Sequence, residues 1–515
     1  MSPKNYEKNR CPQFIDLFNS VPLPYKFVDI PGPSEPAYKP PYPLYFYVNR
    51  VITQLSSKSF IHCGFTQTHD TSKWNASWGR QYQQREYARC QAWQKINHWA
   101  GAFLMGRKDH FNTRMEELKK RIGDQMNFYP ESYLLPDQEE ALEDHWNLHR
   151  LWIVKPSASS RGKGIHLLST DDTNEPPTLE SGIIQNYIER PLLITGRKFD
   201  LRLYVLVPSI SPLRIYIHDS GLARFCTHQY VYNDSDKTVN YEDLNMHLTN
   251  FSLNKNDVNF KRGEAGNESV ENSKWSLPFF LNYLEKVEKI NVQNLMSEIH
   301  RVICATVIAG ECAIKKYHRR LIRHRHTSYE MYGLDILLDE NLNPYIMEVN
   351  ISPAMSGLDS SLDYQIKWRL MHELLRVARI IECNVYENDP CPGIREIEKA
   401  CDHSCDPVRM KQVVEGKVDP WKKPSFRDLM IVRDFVEESE RKGGFSRIFP
   451  KRKNFEKFLP CFENIEYDDK VFLDWIKMSN DERMAAIRRG WDDYTNQMQE
   501  VRNQSVPLNE PIDIE

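Results

Sequence analysis

Residues 332–355, YGLDILLDENLNPYIMEVNISPAM, decide the predicted fold of this chain. Two apolar runs, LDILLD and PYIMEVN, flank the polar turn ENLNP and predict a β-hairpin. A turn near Asn341 pairs Asp335 with Glu348 across the two strands. Asn350 follows Glu348 on the same face, because side chains alternate with a period of two along a strand. The hairpin is therefore expected to gather three oxygen-bearing side chains at one end.

Two carboxylates in an apolar hairpin are unfavourable unless a cation joins them. An all-oxygen set suits Mg²⁺, which takes one or two protein carboxylates together with phosphate oxygens of a nucleotide. The alternative is a solvated hairpin end with ordinary acidic residues near the turn. Spacing alone leaves both interpretations open, so the rest of the chain has to distinguish them.

The bulk composition is that of a large globular protein. With 515 residues the chain is too long for one core and is expected to form roughly three domains. Hydrophobic residues make up 40% and charged residues 27%, and the formal net charge at pH 7 is −3. Eleven cysteines follow no framework spacing, and neither a signal peptide nor an apolar run of about 18 residues is evident. These features predict a cytosolic protein without a membrane span.

Residues 151–168, LWIVKPSASSRGKGIHLL, predict two strands joined by a loop rich in serine and glycine. Gly162 and Gly164 allow backbone N–H groups to approach phosphate oxygens, and Arg161 and Lys163 add positive charge. The loop matches neither the Walker A nor the GxGxxG pattern. An ordinary hairpin is the alternative, but the position between two strands favours a flap over a nucleotide.

Residues 182–207, GIIQNYIERPLLITGRKFDLRLYVLV, contain the second ionisable cluster. The strand IIQNYIE offers backbone donors and acceptors to an adenine edge. In KFDLRLYVLV the residues Lys198, Asp200 and Arg202 share one strand face. On a cleft wall the two cations would neutralise phosphate oxygens and Asp200 would orient one of them. A solvated edge strand is the alternative.

Two further segments supply polar groups. LRIYIHDSGLARFC, residues 213–226, predicts a strand, a turn and a second strand, with Arg224 beyond the turn. HLTNFSLNK, residues 247–255, carries Thr249, Asn250 and Ser252 on a stretch too polar for a core.

These stretches together resemble the tubulin tyrosine ligase-like family. The resemblance rests on WIVKPSASSRGKGI, QNYIERPLLITGRKFDLRLYVLV, HLTNFSLNK and DILLDENLNPYIMEVNISPAMS, with INHWAGAFLMGRKD and FYPESYLLP similar to the N-terminal segment of that family. It covers roughly residues 70–380. It implies an α/β (α+β) chain with an ATP-grasp ligase core, an N-terminal α/β lobe and a C-terminal helical basic extension. It also implies a reaction that joins an amino acid to a protein with ATP and Mg²⁺ through an acyl phosphate.

The resemblance implies a role for each matching residue, by position. Lys198, Asp200 and Arg202 are the expected catalytic residues, with Arg202 on the phosphates or the acyl phosphate. The expected ATP-binding residues are Lys155, Arg161, Gly162, Gln185, Asn186, Tyr187, Ile188, Lys198, Phe199, Asp200, Thr249 and Asn250. The expected amino-acid site is Arg224, Ser252 and Lys274, and the expected metal ligands are Asp335, Glu348 and Asn350.

The expected domain division follows from composition and from the resemblance. It consists of an irregular proline-rich lead-in at 1–70, an N-terminal lobe at 71–150, central and C-terminal ATP-grasp lobes at 151–382, a linker at 383–408, a helical basic microtubule-binding region at 409–500 and a tail at 501–515.

Two basic stretches are candidates for contact with an acidic partner. IKKYHRRLIRHRH, residues 314–326, predicts a flexible basic loop rather than a metal site, since its histidines lie among lysines and arginines. Residues 425–455 resemble the basic microtubule-binding region of autonomous polyglutamylases. Their cations are Arg427, Arg433, Arg441, Lys442, Arg447, Lys451, Arg452 and Lys453. A local cluster of this kind attracts polyanions such as the glutamate-rich tails of tubulin. CDHSCD, residues 401–406, lacks an obvious fourth ligand for zinc.

The sequence therefore predicts a tubulin polyglutamylase that uses ATP, Mg²⁺ and free L-glutamate. It is expected to act as a monomer on microtubules, in the cytoplasm and cytoskeleton, with the cilium and the centrosome or basal body as further expected locations. A tubulin glycine ligase is the nearest alternative. An inactive microtubule-binding protein is the alternative of another class, and the intact ionisable set argues against it. A nucleic-acid partner is not expected, because aromatic RNA-binding platforms are missing from the sequence. A membrane partner is not expected either, because no apolar run of about 18 residues is evident.

Overall fold

The computed structural model describes residues 12–19, 22–156, 162, 164–173, 175–233 and 238–504. The helices are α1 Pro12–Asn19, α2 Gln54–His62, α3 Gln84–Tyr87, α4 Phe103–Gly106, α5 Lys108–Ile122, α6 Glu139–His145, α7 Leu244–His247, α8 Phe251–Asn254, α9 Leu277–Lys286, α10 Val292–Leu321, α11 Ser361–Ala378, α12 Pro392–His403, α13 Pro407–Val414, α14 Phe426–Arg441, α15 Tyr467–Lys477 and α16 Asn480–Gln504. Short 3₁₀ helices cover Gly123–Gln125, Trp146–Leu148 and Phe455–Cys461.

The strands are β1 Lys26–Phe27, β2 Leu44–Asn49, β3 Phe65–Thr68, β4 Ala76–Gly79, β5 Lys95–Ile96, β6 Ser132–Leu135, β7 Leu151–Pro156, β8 His166–Ser169, β9 Gly182–Asn186, β10 Leu193–Ile194, β11 Arg197–Ile210, β12 Leu213–Phe225, β13 Tyr232–Asn233, β14 Thr238–Val239, β15 Lys274–Ser276, β16 Glu330–Leu338, β17 Pro344–Asn350, β18 Ile381–Glu382 and β19 Phe445–Phe449.

The chain forms two compact units. The larger unit comprises Phe27–Pro390 and Lys442–Asn464. The helical unit comprises Met1–Lys26, Cys391–Arg441 and Ile465–Glu515. In the part of the chain that the structure describes, no helix is both long enough and apolar enough to cross a membrane.

The main sheet of the larger unit has the strand order β15-β12-β11-β16-β17, with β10 paired to β11 and β19 to β12. Its central strands are buried on both sides, as the continuous apolar runs of β12 and β16 require. Helix α11 packs on one face and contributes Leu370 and Leu374 to a core that also contains Tyr204 and Tyr216 from the sheet. This core supports the sheet whose strands β11, β16 and β17 carry the predicted site residues.

Two four-stranded sheets complete the larger unit. The parallel sheet β3-β2-β4-β5 belongs to the N-terminal part. In the antiparallel sheet β6-β9-β7-β8, β7 and β8 are paired neighbours, and of the predicted serine- and glycine-rich loop the structure describes Gly162 and Gly164. Trp146 and Trp152 stack with ring centroids 5.7 Å apart behind this sheet and are fully buried. This packing fixes β7 and β9, whose other face is open to the main sheet.

The hairpin that decides the fold is confirmed in its register. Strands β16 and β17 are antiparallel and pair Asp335 with Glu348 and Gly333 with Asn350. Asp339 holds the turn, because its carboxylate accepts hydrogen bonds from the backbone N–H groups of Asn341 and Asn343 at 2.9 and 2.8 Å.

The predicted turn within residues 213–226 is wrong, since these residues form the single strand β12. Its pairing with β11 shifts register between Leu203 and Val205, so the polar HDSG stretch forms a bulge instead of a chain reversal. Gly221 is required there, because a Cβ atom would lie 2.8 Å from the carbonyl oxygen of Arg202. The bulge leaves Arg224 opposite Asp200 on the neighbouring strand.

The predicted flexible basic loop at 314–326 is wrong over its first half. Helix α10 continues to Leu321, and Lys315 and His318 are buried. Lys315 forms an ion pair with Glu311 one helical turn earlier. The apolar face of the helix extends past Ile314, and burial of that face outweighs the repulsion between neighbouring cations.

Several predicted irregular stretches contain regular structure. Within residues 1–70 the structure has α1, β2, α2 and β3, and the predicted linker 383–408 contains α12. Within the predicted helical region 409–500, β19 joins the main sheet of the larger unit. Gly443 and Gly444 separate α14 from this strand. The division into functional domains stays a prediction.

The helical unit has its own buried core. Phe426 stacks on Tyr494 with centroids 4.3 Å apart, and Phe14 meets the edge of Trp475 at 6.0 Å. The Arg427 guanidinium donates two hydrogen bonds of 2.8 Å to the buried carboxylate of Asp468. Phe426 and Arg427, which the sequence analysis assigns to a basic microtubule-binding region, thus contribute to the core of this unit and to a buried ion pair.

Candidate functional site

A cavity of about 230 Å³ lies in the larger unit between the sheet β6-β9-β7-β8 and the main sheet. The family resemblance implies that residues of both walls meet in one ATP site, and the structure places these residues around one cavity. The predicted site residues that line the cavity are Lys155, Gly162, Gln185, Asn186, Tyr187, Ile188, Lys198, Asp200, Thr249, Asn250, Asp335, Glu348 and Asn350. Their functional roles stay predictions.

Lys155 projects from β7 and donates a hydrogen bond of 2.5 Å to Oε1 of Gln185 on β9. Gln185 is held in turn by donating to Ser132 Oγ at 2.7 Å. Burial lowers the pKa of Lys155 to about 8, with the neighbouring cations Lys108 and Lys198 adding to the shift and Glu348 opposing it. The cavity therefore holds an ammonium group that an anion would stabilise.

Lys198 is positioned by a series of hydrogen bonds in which each group donates to the next. Its Nζ donates to Tyr187 Oη at 2.8 Å, and Tyr187 Oη lies 2.6 Å from Nδ1 of His247. The second ring nitrogen of His247, Nε2, lies 2.7 Å from the carbonyl oxygen of Asn240 and must donate to it. Nδ1 therefore accepts from Tyr187, whose oxygen is left to accept from Lys198. Burial lowers the pKa of His247 to about 4, with Lys198 adding to the shift, which keeps the ring neutral.

Burial also lowers the pKa of Lys198 to about 8, although Cys226 and Asp200 oppose the shift. The ammonium lies 4.3 Å from the centroid of the Tyr187 ring. Two lysines, one from each sheet, thus face the same space with pKa values near neutrality.

The carboxylates Asp335 and Glu348 are neighbours across β16 and β17 and both line the cavity. Burial and the negative charge of Asp335 raise the pKa of Glu348. Asn350 donates to Glu348 Oε1 at 2.9 Å, which orients this carboxylate. Asp335 is different, because Arg202 and Arg224 overcome the effect of burial and hold its pKa well below its usual range.

The two arginines form a charged network behind the cavity. Arg202 donates to both oxygens of Asp335, at 2.5 and 2.8 Å. Arg224 bridges the two acids, with Nη2 at 2.7 Å from Asp335 Oδ2 and 2.5 Å from Asp200 Oδ2. Thr249 Oγ1 donates to the same Asp200 oxygen at 2.6 Å. This network links the predicted catalytic strand β11 to the predicted metal ligands.

The donor set fits Mg²⁺ rather than a metal held by the protein alone. Two adjacent carboxylates and an amide oxygen leave most coordination positions to phosphate oxygens and water, which is how proteins usually bind Mg²⁺. The described residues contain no group of three or more His, Cys, Asp and Glu side chains that could hold a metal ion. Burial and Asp335 raise the pKa of Glu348, so a cation bound here would favour the charged form of this carboxylate.

Among the described residues of the predicted site, Phe199, Arg202 and Arg224 do not line the cavity. Arg161, with the neighbouring Lys163, lies outside the described residues. Phe199 is a core residue between Phe225 and Phe280, with centroids 5.5 and 5.1 Å away, because it occupies the opposite face of β11 from Lys198.

None of the three residues of the predicted amino-acid site lines the cavity, since Arg224 lies behind it. Arg224 and Lys274 pair in register on β12 and β15, but Lys274 is buried and its Nζ lies 2.8 Å from Asp363 Oδ2. The same ammonium lies 4.2 Å from the Phe251 ring centroid, next to the predicted Ser252. Neither Ser252 nor Lys274 is part of the lining.

Sequence reasoning missed several lining residues. Lys108 at the start of α5 and His247 at the end of α7 both face the cavity. His247 stands next to the predicted Thr249 segment, but nothing local indicated that its ring would meet Tyr187. Met105 and Tyr129 come from segments noted only for their resemblance to the family.

The predicted phosphate-binding loop has one described residue on the cavity wall. Gly162 has φ +77°, and a Cβ atom there would lie 2.9 Å from Leu253 and 3.1 Å from Asn250. Only glycine fits this backbone conformation and this close approach.

Comparison with known proteins identifies the family of this chain. Residues 85–387 match the model of the tubulin-tyrosine ligase family. The chain belongs to the tubulin-tyrosine ligase family. The predicted resemblance is therefore confirmed, and so is the mixed helix and sheet fold with an ATP-grasp core that membership in this family carries.

Curated members of the tubulin-tyrosine ligase family extend the match beyond the family domain. Tubulin polyglutamylase ttll-4 of Caenorhabditis briggsae is 31% identical over 529 aligned positions, covering 94% of this chain and 84% of the relative. Tubulin monoglutamylase TTLL4 of Mus musculus is 29% identical and tubulin polyglutamylase TTLL5 of Homo sapiens 30% identical, covering 81% and 82% of this chain. The chain spans only 37% and 34% of the length of these two mammalian proteins.

Proposed function

We propose that this protein is an ATP- and Mg²⁺-dependent ligase that adds glutamate to glutamate side chains in the acidic tails of tubulin. One observation carries the proposal: the carboxylates Asp335 and Glu348 face the same cavity as the buried ammonium groups of Lys155 and Lys198. Phosphoryl transfer depends mainly on positioned positive charge and on a divalent metal held by carboxylates. These four side chains meet both requirements.

The roles proposed for the cavity residues follow from their chemistry. Lys155 and Lys198 would bind phosphate oxygens of ATP, which restores the charge that burial disfavours. The backbone of residues 185–188 would bind the adenine edge. Asp335, Glu348 and Asn350 would hold Mg²⁺, which supplies charge neutralisation at the phosphates when bound.

The arginine network would act on the reacting groups. Arg202, tied to Asp335, is proposed to stabilise the phosphate oxygens and the acyl phosphate. Arg224 is proposed to bind a carboxylate of the incoming glutamate, since a guanidinium recognises a carboxylate in a bidentate fork. Ser252 and Lys274 are proposed as its companions in that site.

The proposed reaction has two steps. The γ-carboxylate of an acceptor glutamate takes the γ-phosphoryl group of ATP, and ADP leaves. The amino group of free glutamate then attacks the acyl carbon, phosphate leaves, and an amide bond has formed. The chain contributes positioning and charge, without a nucleophile of its own.

The relatives support the choice of glutamate. Their names describe glutamylases of tubulin, both monoglutamylases and polyglutamylases. We therefore propose that the protein acts as a monomer in the cytoplasm, with microtubules as its partner and the cytoskeleton as its setting. The same names give no support to the glycine-ligase alternative.

The proposal is tested by incubating the purified protein with microtubules, ATP, Mg²⁺ and radiolabelled glutamate or glycine. We expect incorporation of glutamate and not of glycine. Glu348→Gln should reduce incorporation at least about a hundredfold, because a charge-stabilising group of the transition state is lost. Glu340→Gln is the matched control in the same hairpin, since the side chain of Glu340 is exposed and forms a surface ion pair with Arg190.

The outcomes separate the alternatives. Incorporation of glycine alone would establish the glycine ligase. Microtubule binding without incorporation of either amino acid would show an inactive binding protein. Equal activity of the Glu348→Gln and Glu340→Gln proteins would refute the proposed metal site.

A further inference from the structure

His228 lies between the two ends of a segment that lines the cavity. This segment, residues 243–257, contains α7 and α8, and its residues 247–250 form part of the cavity wall. Asp243 is the N-cap residue of α7, and Asp257 comes shortly after α8. The imidazole of His228 has Nδ1 2.7 Å from Asp243 Oδ2 and Nε2 3.0 Å from Asp257 Oδ2. One ring therefore contacts both ends of the segment.

The hydrogen bonds of the two aspartates determine what the ring must donate. Asp257 accepts at Oδ2 from Asn245 Nδ2 and at Oδ1 from the backbone N–H of Asn259, both at 2.8 Å. Asp243 Oδ1 accepts from the backbone N–H of Asn245 at 3.1 Å. Both carboxylates thus act as acceptors, and each ring nitrogen of His228 has to donate. Only an imidazolium carries an N–H on both nitrogens, so both contacts require the protonated ring.

The surroundings of His228 favour this protonated form. The hydrogen bond with Asp243 raises the pKa of His228, the charges of Asp243 and Asp257 add to the shift, and burial opposes it. The side chain is 33% exposed, so it exchanges its proton readily with solvent. The ring therefore changes its charge as the pH rises from slightly acidic to alkaline values.

The other titratable groups that face Asp243 are Cys226 and His247. Burial raises the pKa of Cys226 to about 12 and lowers that of His247 to about 4, so both are uncharged near neutral pH. Lys198 acts on both groups, and burial lowers its own pKa to about 8. A test of His228 has to separate its titration from that of Lys198.

The segment is linked to the cavity and to the chain next to His228 by further hydrogen bonds. Thr249 Oγ1 donates to Asp200 Oδ2 at 2.6 Å. Asn254 Oδ1 accepts from Thr227 Oγ1 at 2.8 Å, and its Nδ2 donates to the carbonyl oxygen of Leu248 at 2.7 Å. Helices α7 and α8 have four residues each, which is too short for stability of their own. The position of the segment therefore depends on such tertiary contacts.

We propose that His228 is a positioning residue, whose protonated ring holds segment 243–257 against the cavity by donating to Asp243 and Asp257. Loss of the ring proton removes one of the two donors and releases one end of the segment. Because the pKa of His228 is raised in the folded protein, the stabilisation is fully present below the ordinary histidine pKa and is lost as pH rises through the raised value. The consequence for ATP binding at Thr249 and Asn250 rests on the proposed function, whereas the loosening of the segment does not.

Hydrogen exchange followed by mass spectrometry on the free full chain tests the loosening. Peptides from segment 243–257 should exchange at least about fivefold faster in His228→Gln than in the wild type at pH 6, because glutamine is never charged. At pH 9 the two proteins should exchange about equally, since the wild-type ring is then neutral. Intrinsic exchange rates and the titration of Lys198 are common to both proteins and cancel from the ratio. His69→Gln is the matched control, because His69 is exposed, and its ratio should be close to one at both pH values.

Asp257→Asn provides a second test that leaves the histidine in place. It removes one of the negative charges that raise the pKa of His228. The pH at which protection of the segment declines, after correction for intrinsic exchange, should therefore move down relative to the wild type. A purely structural role of Asp257 would reduce the protection without moving this midpoint.

Three results would overturn the inference. Equal exchange of the wild type and His228→Gln at pH 6 would show that the ring does not hold the segment. The same ratio above one at pH 6 and pH 9 would show that the ring packs there but that its proton has no role. An unchanged midpoint in Asp257→Asn would refute the paired contacts, and this variant decides the matter if His228→Gln exchanges fast throughout the chain because it is unfolded.

Calorimetric titration with ATP and Mg²⁺ separates this role from the proposed function. The ratio of Kd between His228→Gln and the wild type should be at least about threefold at pH 6 and close to one at pH 9. A wild type that incorporates glutamate but exchanges like His228→Gln at pH 6 would refute only the role of His228. A pH-dependent difference in exchange without any binding of ATP would refute the proposed ATP site and leave the role of His228 in place.

Discussion

At the scale of single residues, the site depends on side chains whose ionisation is set by their surroundings. Lys155 and Lys198 have ordinary lysine chemistry in the sequence, but burial brings the pKa of each to about 8. Glu348 has its pKa raised by burial and by Asp335, while two arginines keep Asp335 ionised. Within one cavity the pKa values of two lysines are lowered and that of a glutamate is raised. A bound anion and a bound cation would each favour the charged forms of these groups.

Binding of ATP at pH 8 should be accompanied by proton uptake. With pKa values of about 8, Lys155 and Lys198 are each about half protonated in the free protein at that pH, and phosphate oxygens would raise both pKa values. Uptake approaches about half a proton for each lysine and falls towards zero as pH is lowered to 6, where both are already charged. Affinity for ATP should accordingly decline as pH rises above 8.

Calorimetric titration with ATP in two buffers of different ionisation enthalpy measures this uptake. Lys155→Met should remove about half of it and leave the contribution of Lys198. The same binding enthalpy in both buffers at pH 8 would contradict the assignment of these lysines to the phosphates.

The directional chain from His247 through Tyr187 to Lys198 makes Tyr187 a positioning residue. Tyr187→Phe removes the acceptor 2.8 Å from Lys198 Nζ and should weaken ATP binding roughly tenfold, the effect of one hydrogen bond to a charged group. The Michaelis constant for ATP should rise more than kcat falls. Tyr87→Phe is the control, since the buried hydroxyl of Tyr87 has no hydrogen-bond partner in the described structure. Equal effects of both substitutions would mean that the hydrogen bond from Lys198 to Tyr187 does not position Lys198.

At the scale of elements, burial decides between helix and loop where charge patterns suggest otherwise. The run IKKYHRRL at the end of α10 is basic enough to suggest a flexible loop. Its residues Ile314, Lys315 and His318 are nevertheless buried, and His318 Nδ1 accepts from the backbone N–H of Ala100 at 3.2 Å. A contact 218 residues away in sequence therefore fixes a segment that local charge alone would leave exposed.

Limited trypsin digestion tests the end of this helix. We expect the first cut in the region after Arg323, which is exposed just beyond Leu321, and resistance after Lys315. Mass spectrometry of the fragments identifies the bonds, and digestion in denaturant shows which are cut once the helix has unfolded. Early cleavage after Lys315 in the native protein would support the flexible loop instead.

At the scale of the whole molecule, the basic C-terminal stretch divides between two compact units. Arg427 and Arg433 belong to the helical unit and pair with Asp468 and Glu437. Residues 442–455 belong to the larger unit, where β19 extends the main sheet. A charge count along the sequence therefore overstates the positive surface that is free to meet an acidic partner.

Charge substitutions in the two parts should have different consequences. Arg452→Glu/Lys453→Glu should weaken co-sedimentation with microtubules and make it less dependent on salt, because these side chains are exposed and a cationic contact is screened by salt. The unfolding free energy should stay within about 0.5 kcal/mol of the wild type. Unchanged affinity and salt dependence would refute the microtubule-binding role.

Arg427→Gln should act on stability instead. It leaves the buried carboxylate of Asp468 without its guanidinium, a loss of about 3 kcal/mol or more. Urea unfolding followed by tryptophan fluorescence measures this change. A stable protein that binds microtubules less tightly would show that Arg427 belongs to the binding surface after all.

The sequence by itself determined the features that follow from local backbone periodicity. The hairpin and the pairing of Asp335 with Glu348 follow from alternation and from the turn residues, as does the shared face of Lys198, Asp200 and Arg202. Tertiary structure decided the features that depend on burial and on residues distant in the chain. These include the approach of β7 to the main sheet and the contact of His247 with Tyr187. Alternation specifies which face a side chain occupies, but the desolvation and the partners of that face are set only when separate segments pack together.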